Sequence, residues 1–162
     1  MNHFLSAVVL VLSLCCLSCT NNDEMVSIPP NISQYLDLQF VTGSVTANLM
    51  PFIPPDPISA AITLTAKNTH ASQSMIGLRI LKADVFRQTD STLLGTFNFT
   101  STWDGDLNPG DQDVVVAAKV RASATLFNPP CNEYVYLTIL VGTDSNNVKV
   151  ITSDSLRFAC VY

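Results

Sequence analysis

Apolar and polar residues alternate with a period of two over most of the chain beyond residue 33, and this period predicts β-strands and not helices. The clearest run begins at Ile58, where every second residue is apolar as far as Ala66. Within Ile76–Arg87 the apolar positions shift by one residue, from Ile80 to Leu81. A one-residue slip of this kind is what a β-bulge produces, so we expect a bulge inside this strand.

Two later segments refine the pattern. Within Gln112–Phe127 the even-numbered positions from Val114 to Leu126 are apolar, which predicts a strand with Val114 and Val116 facing the core. Tyr134–Val141 is apolar on both faces apart from one threonine, as expected of a central strand. Tyr134 itself opens this strand and is a candidate for a tyrosine-corner contact with the backbone.

Together the pattern predicts seven strands separated by turn signals and no helix. The predicted strands are Leu36–Phe40, Ile58–Lys67, Ile76–Arg87, Leu93–Thr100, Gln112–Phe127, Glu133–Gly142 and Val148–Val161. Short strands at this spacing predict an all-β fold, a seven-stranded immunoglobulin-like antiparallel β-sandwich over residues 34–162.

The first 18 residues predict a signal peptide. The apolar run Phe4–Leu17 is shorter than the about 20 residues that a membrane-spanning helix needs. It ends in Leu17-Ser18-Cys19, which resembles a bacterial lipoprotein signal, and the resemblance implies a diacylglyceryl thioether on Cys19. Plain secretion and an uncleaved anchor are the alternatives, because Cys16 stands where the pattern favours Leu and the leader has no Lys or Arg. Residues 19–33 are polar, contain two prolines, and predict a tether.

Cys131 and Cys160 remain as a pair beyond the leader and Cys19. An antiparallel hairpin in which Gly142 faces Lys149 would also place the two cysteines opposite each other, within bonding reach. We therefore predict a disulfide between them, as expected of an exported domain. A free reactive thiol is the alternative.

The segment Trp103–Asp113, called here the Asp-rich loop, is the main candidate for chemistry. Its oxygen-bearing side chains are Asp104, Asp106, Asn108, Asp111 and Asp113. A helix-loop-helix calcium site would need glycine and a carboxylate where Pro109 and Val115 stand. A looser Ca²⁺ site is one alternative, but Asp104-Gly105 and Asn108–Asp111 favour two tight turns, the second of type II.

Trp103 is the single tryptophan. Its indole face could stack on a sugar while neighbouring aspartates accept hydroxyl hydrogen bonds, or it could fold back over the core. His70 is the only histidine after the leader, so a multi-histidine metal site is excluded and a Ser-His-Asp triad would depend on a loop residue. The sequence therefore predicts no enzyme, with a secreted hydrolase as the weakest alternative.

The composition limits the classes of binding partner that are possible. The chain is 48% hydrophobic and only 13% charged, with a formal charge of −5. Without a basic cluster there is no electrostatic footprint for nucleic acid, and the scattered glycines form no phosphate loop.

Three motifs carry a resemblance to small immunoglobulin-like domains of the FxLyD and LEA-like (water-stress) types. They are A-K-N-T ending in Thr69, the run from Ile80 to Thr96, and L-N-P-G-D from Leu107. The resemblance covers about Ala60–Val120 and implies the same fold with no catalytic residues to carry over.

The sequence thus predicts a non-enzymatic, lipid-anchored cell-envelope protein with a structural or interaction role. Its expected partners are the lipid membrane, through Cys19, and an unidentified protein or glycan. The alternative is a ligand-binding module that takes sugar or Ca²⁺ at the Asp-rich loop.

Overall fold

The computed structural model describes residues 30–50, 58–99, 103–119 and 130–162, and 59% of them lie in strands against 4% in helix. The predicted all-β class is confirmed. The elements are α1 (Ile32–Tyr35), β1 (Leu36–Asn48), β2 (Ile58–Asn68), β3 (Arg79–Arg87), β4 (Leu93–Phe97), β5 (Gln112–Lys119), β6 (Tyr134–Gly142), β7 (Val148–Thr152) and β8 (Leu156–Val161).

The strands pair in the order β4-β3-β6-β8-β1-β2-β5. β7 also pairs with β6, on the edge opposite β3, which it shares with β8. One layer is β4-β3-β6-β7 and the other is β8-β1-β2-β5, with β8 contacting both. Most pairs are antiparallel as predicted, but β8 runs parallel to β1 from Val45↔Phe158 to Asn48↔Val161. The inward faces of both layers form one apolar cluster, which includes Leu64 from β2.

The predicted alternation holds along β2 and β3. All five apolar positions of β2 from Ile58 to Ala66 are buried. The predicted bulge is present, because the pairing of β3 with β6 shifts between Ile80 and Lys82. Ile76, expected inside, is 69% exposed, since it precedes β3 and its neighbour Met75 takes the buried place.

The predicted orientation of β5 is wrong by one residue. Val114 and Val116 are each 58% exposed, whereas Val115 and Ala117 are buried. Cross-strand pairing sets the orientation, because Val115 faces Leu64, and that residue lies on the inner face of β2. The polar positions that suggested the opposite orientation begin at residue 119, and lie beyond the described side chains.

The last predicted strand is divided at Ser153 into β7 and β8. The Ser153 hydroxyl accepts a hydrogen bond from Leu137 N at 2.9 Å and donates to Asp154 O at 2.7 Å. Gly142 faces Val148 before the break, not Lys149 as predicted. Beyond the break, β6 pairs with β8, and Val135 faces Leu156. This pairing is shifted by one residue from that of β6 with β7 and restores the register that the sequence predicted.

The predicted disulfide between Cys131 and Cys160 is present, with the two Cα atoms 5.5 Å apart. It lies next to the hydrogen bond from Asn132 N to Phe158 O at 2.8 Å. The bond closes a loop with a sequence separation of 29, for which chain entropy suggests about 3–4 kcal/mol of stabilisation.

The short helix α1 lies at the end of the segment predicted as a tether. Asn31 caps it by accepting a hydrogen bond from Ser33 N at 3.1 Å, and Ile32 is buried. Ile32 N also donates to Asn147 Oδ1 at 3.0 Å, which ties the helix to the turn between β6 and β7. We call this end of the sandwich the α1 end and the opposite one, where β6 begins, the Tyr134 end.

Over the described residues, no helix combines the length and apolarity that crossing a bilayer requires.

Replacing Ser153 with alanine should destabilise the domain by about 1–3 kcal/mol, because the buried Leu137 N–H would lose its side-chain acceptor. Ser145→Ala, at an exposed turn position, is the matched control and should leave stability unchanged. Urea unfolding of the two variants and the parent measures the difference. Equal midpoints for Ser153→Ala and the parent would contradict a structural role for the hydroxyl.

Candidate functional site

A buried asparagine organises the Asp-rich loop. Asn68 is fully buried at the end of β2, and its side-chain amide donates to Gln73 O at 2.8 Å and to Leu107 O at 3.0 Å. Its carbonyl oxygen accepts from His70 N at 2.9 Å. One side chain therefore joins the loop after β2 to the Asp-rich loop, and its polar atoms are satisfied by the protein itself.

The oxygen-bearing side chains of the Asp-rich loop serve mainly as acceptors for nearby backbone N–H groups. The pairs are Asp106 N to Asp104 at 3.3 Å, Gly77 N to Asp106 at 2.9 Å, Asn108 N to Asp111 at 3.1 Å and Val114 N to Asp113 at 2.7 Å. Asn108 Oδ1 accepts from the Ser74 hydroxyl at 3.0 Å. These contacts are typical of side chains that cap tight turns.

Both predicted turns are present. Asp111 N donates to Asn108 O at 3.0 Å, and Gly110 has a φ of +83°, as a type II turn requires. Gly105 has a φ of +75°, and its carbonyl accepts from Leu78 N at 3.0 Å. A Cβ at position 105 would lie 1.9 Å from Leu78 O, so this turn presses directly against the start of β3.

The described part of the chain contains no group of three or more His, Cys, Asp or Glu side chains placed to hold a metal ion. The five oxygen-bearing residues of the Asp-rich loop are thus brought into one loop without converging as a Ca²⁺ site. The arrangement corresponds to the turn interpretation of the loop.

His70 is also used structurally. Its Nδ1 accepts from Ser72 N at 3.2 Å and from Gln73 N at 2.9 Å. Its ring makes a T-shaped contact with Tyr35, with centroids 4.5 Å apart. Because Nδ1 accepts these hydrogen bonds, it is not available to donate to a carboxylate, as Nδ1–H does in a Ser-His-Asp triad.

Trp103 lies in the loop as predicted and packs, half-buried, against the core. It separates two shallow grooves at the α1 end. One, of about 290 Å³, is shared with Asp104, Asp113, Val114 and Val116. The other, of about 340 Å³, lies over the start of β3 and includes Phe99. The indole therefore covers the core and also forms a wall of both grooves.

A larger groove, of about 570 Å³, lies at the Tyr134 end. Its lining is Gln88, Thr89, Glu133, Tyr134 and Ser155, and we call it the Tyr134 groove. Tyr134 is 58% exposed, so the predicted tyrosine-corner contact is wrong: the side chain lies on the outer face of the sheet, while Val135 fills the core. The residues come from three separate segments, and no local motif in the sequence signals that they meet.

Arg87 braces one side of this groove. Its Nε lies 2.9 Å from Glu133 Oε2, an ion pair by distance, although the angle falls outside that of a directed hydrogen bond. Its Nη1 lies 3.3 Å from Asp90 Oδ2. Asp90 also accepts from Thr92 N at 3.0 Å, and this hydrogen bond holds the pKa of the Asp90 carboxyl below its ordinary value.

Comparisons with known proteins yield matches to solved structures alone. No family model matches the chain, and no curated protein matches it. The ASH/PapD-like domain 7 of human CEP192 is 12% identical, with 83% of this chain and 91% of that domain covered and a TM-score of 0.35. The X-ray structure of the Northeast Structural Genomics Consortium target SoR45 is 10% identical, with 79% and 89% covered and a TM-score of 0.33.

A β-glucosidase from Kluyveromyces marxianus is 18% identical over 74% of this chain and 15% of its own length, with a TM-score of 0.29. At these TM-scores and identities, none of the three proteins bears on the function of this chain.

The two glycine turns provide a matched pair of substitutions. Gly110→Ala should cost about 1–2 kcal/mol, because its positive φ is strained for alanine but its surroundings are open. Gly105→Ala adds a backbone collision to the same strain and should cost at least about 3 kcal/mol. Urea unfolding gives both values. Equal costs for the two variants would show that the Gly105 turn does not press against β3.

Proposed function

We propose that this chain is a non-enzymatic cell-envelope lipoprotein, in which one immunoglobulin-like domain is held by lipid at Cys19 and serves a structural or interaction role. The distribution of the cysteines carries the proposal. Cys19 stands two residues beyond the end of the apolar run Phe4–Leu17, whereas Cys131 and Cys160 are joined as a disulfide. Disulfides persist in oxidising compartments outside the cytosol, so both observations support export.

The non-enzymatic part of the proposal is supported by how the polar side chains are used. Asn68 and the carboxylates of the Asp-rich loop hold turns together, and the one described histidine accepts two backbone hydrogen bonds. Catalysis by these groups would require them to leave contacts that stabilise the domain.

The tether joins the domain at the α1 end. Pro30 accepts a hydrogen bond from Asn147 at the α1 end. Ten residues separate Cys19 from Pro30, and extended chain spans up to about 3.3–3.6 Å per residue. With Cys19 anchored, the α1 end with its Asp-rich loop stays within reach of the tether from the membrane, and the Tyr134 end is the end remote from the attachment point.

The second candidate is a ligand-binding module at the Asp-rich loop. The two grooves beside Trp103 favour it. Trp103 and Asp104 line both grooves, so the indole ring and the carboxylate could contact a sugar in either one. The backbone hydrogen bonds of the four carboxylates weigh against the Ca²⁺ form of this candidate. A secreted hydrolase remains the weakest alternative.

Lipidation predicts a specific mass. The mature protein should begin at Cys19 and carry acyl chains on it, and Cys19→Ser should move the protein from the membrane fraction to the soluble fraction. Intact-mass spectrometry and fractionation in a bacterial host measure this, with Ser18→Ala as a control that retains the cysteine. A mature chain lacking residue 19, or an unmodified thiol there, would overturn the anchor.

Calcium should leave the stability of the domain unchanged. We expect identical thermal melts with Ca²⁺ and with a chelator, because the loop carboxylates already accept backbone hydrogen bonds. A ligand that binds only the folded state raises the melting temperature by mass action. A Ca²⁺-dependent increase of several degrees would support the ligand-binding alternative, and loss of that increase in Asp111→Asn would locate it in the Asp-rich loop.

A further inference from the structure

The Tyr134 groove joins an exposed aromatic ring to four polar side chains. Its volume of about 570 Å³ lies within the range of about 300–1,000 Å³ that is usual for small-ligand sites. Tyr136, on the same face of β6, stacks on Phe86 with ring centroids 5.3 Å apart. Among the described aromatic residues none stacks on Tyr134, whose ring face is therefore available to a ligand.

One wall of the groove is held rigidly by the segment that follows the disulfide. Cys131 is bonded to β8, and two residues later Glu133 N donates to Pro130 O at 3.0 Å. Glu133 O accepts from Phe158 N at 2.9 Å. These bonds fix the backbone that carries Glu133 and Tyr134, so a ligand would meet a preorganised surface and less ordering entropy would oppose binding.

The opposite wall is tied to the first. Gln88 N donates to Tyr134 O at 3.0 Å, and the Ser155 hydroxyl donates to Gln88 Oε1. This second bond joins residues from segments far apart in the chain. The side chain of Gln88 is therefore fixed at the groove by Ser155, and Thr89, the next residue, also lines it.

The charges at the groove favour an uncharged ligand. Among the lining residues that the structure describes, Glu133 supplies the single carboxylate, and Arg87 at 2.9 Å balances it. A bare cation would find a single carboxylate already paired, while an anion would face that carboxylate directly. Since the Ser155 hydroxyl donates to Gln88 Oε1, the groups that remain are the Gln88 NH₂ donor, the oxygen lone pairs of Ser155, the Thr89 hydroxyl and the second carboxylate oxygen of Glu133.

From these features we infer that the Tyr134 groove is a binding site for a neutral pyranose saccharide. A pyranose has an apolar C–H face that packs on an aromatic ring and a rim of hydroxyls that both donate and accept. Tyr134 supplies the ring; Gln88, Thr89, Glu133 and Ser155 supply the partners for the hydroxyls. The site lies at the opposite end of the sandwich from Trp103, so it is distinct from the Asp-rich loop.

The position of this site also fits the proposed anchor. With the tether joined at the α1 end, the Tyr134 groove lies at the end remote from the attachment point, where an envelope glycan can reach it. This placement rests on the proposed function, whereas saccharide binding itself does not require the lipid.

Isothermal titration of the full-length protein against neutral oligosaccharides built from glucose, galactose, mannose or N-acetylglucosamine tests the inference. We expect saturable binding of at least one class and an affinity reduced about ten-fold or more by Tyr134→Ala. Tyr134→Phe should retain binding, because it keeps the ring. Tyr162→Ala is the matched control, since this tyrosine is 78% exposed and does not line the groove. Gln88→Ala provides a second weakening variant, and circular dichroism confirms that each variant is folded.

Trp103 emission separates this site from the Asp-rich loop, because the indole lies at the other end and should not respond to the saccharide. Absence of saturable binding throughout the panel at low-millimolar concentration would overturn the inference. Binding that survives Tyr134→Ala, or that changes Trp103 emission, would overturn it as well. Repeating the titration with Cys19→Ser keeps the two proposals separate, since loss of the anchor should leave saccharide affinity unchanged.

Discussion

The transfer of β8 from one layer to the other is the constraint on which the rest of the sandwich depends. The Ser153 hydroxyl occupies a place in the ladder beside Leu137, so that β7 ends and the chain re-enters as β8 in a new register. Only two residues of β8 pair with β6 before the strand turns to run parallel to β1. Without this break the last strand would remain a simple hairpin partner of β6, and the two layers would lose the strand they share.

The disulfide acts at the same point. Cys160 lies in the part of β8 that pairs with β1, while Cys131 precedes β6 in the other layer. The covalent bond thus holds β8 against both layers near the point where its pairing with β6 covers only two residues. It also fixes the segment before β6, which explains why Glu133 and Tyr134 form a defined surface at this end and not a loose loop.

Sequence periodicity predicted the buried face of a strand correctly where polar residues marked the opposite face. The alternation from Ile58 to Ala66 led directly to the buried face of β2 and to the all-β class. It failed in Val114–Ala117, where every residue is apolar and only pairing with β2 decides which side is buried. The break at Ser153 was missed for a related reason, since a serine that joins a ladder through its hydroxyl looks in sequence like any polar strand residue.

Turn chemistry was predictable because it is local. Glycines and a proline in the sequence were enough to indicate the two tight turns of the Asp-rich loop. The disulfide followed from the number of cysteines left after the leader. The Tyr134 groove could not be predicted in this way, because its residues approach one another only through the pairing of β3, β6 and β8.

The contrast between the two ends of the sandwich bears on how function is inferred from composition. The Asp-rich loop is conspicuous in sequence, yet its carboxylates accept backbone hydrogen bonds that hold the turns together. The Tyr134 groove has an ordinary composition, yet its aromatic ring remains exposed on a backbone braced by covalent, ionic and hydrogen bonds. A polar group already satisfied within the fold must lose a contact before it can bind a ligand, whereas an exposed ring on a rigid support loses little. For this reason the less conspicuous end is the stronger candidate for recognition.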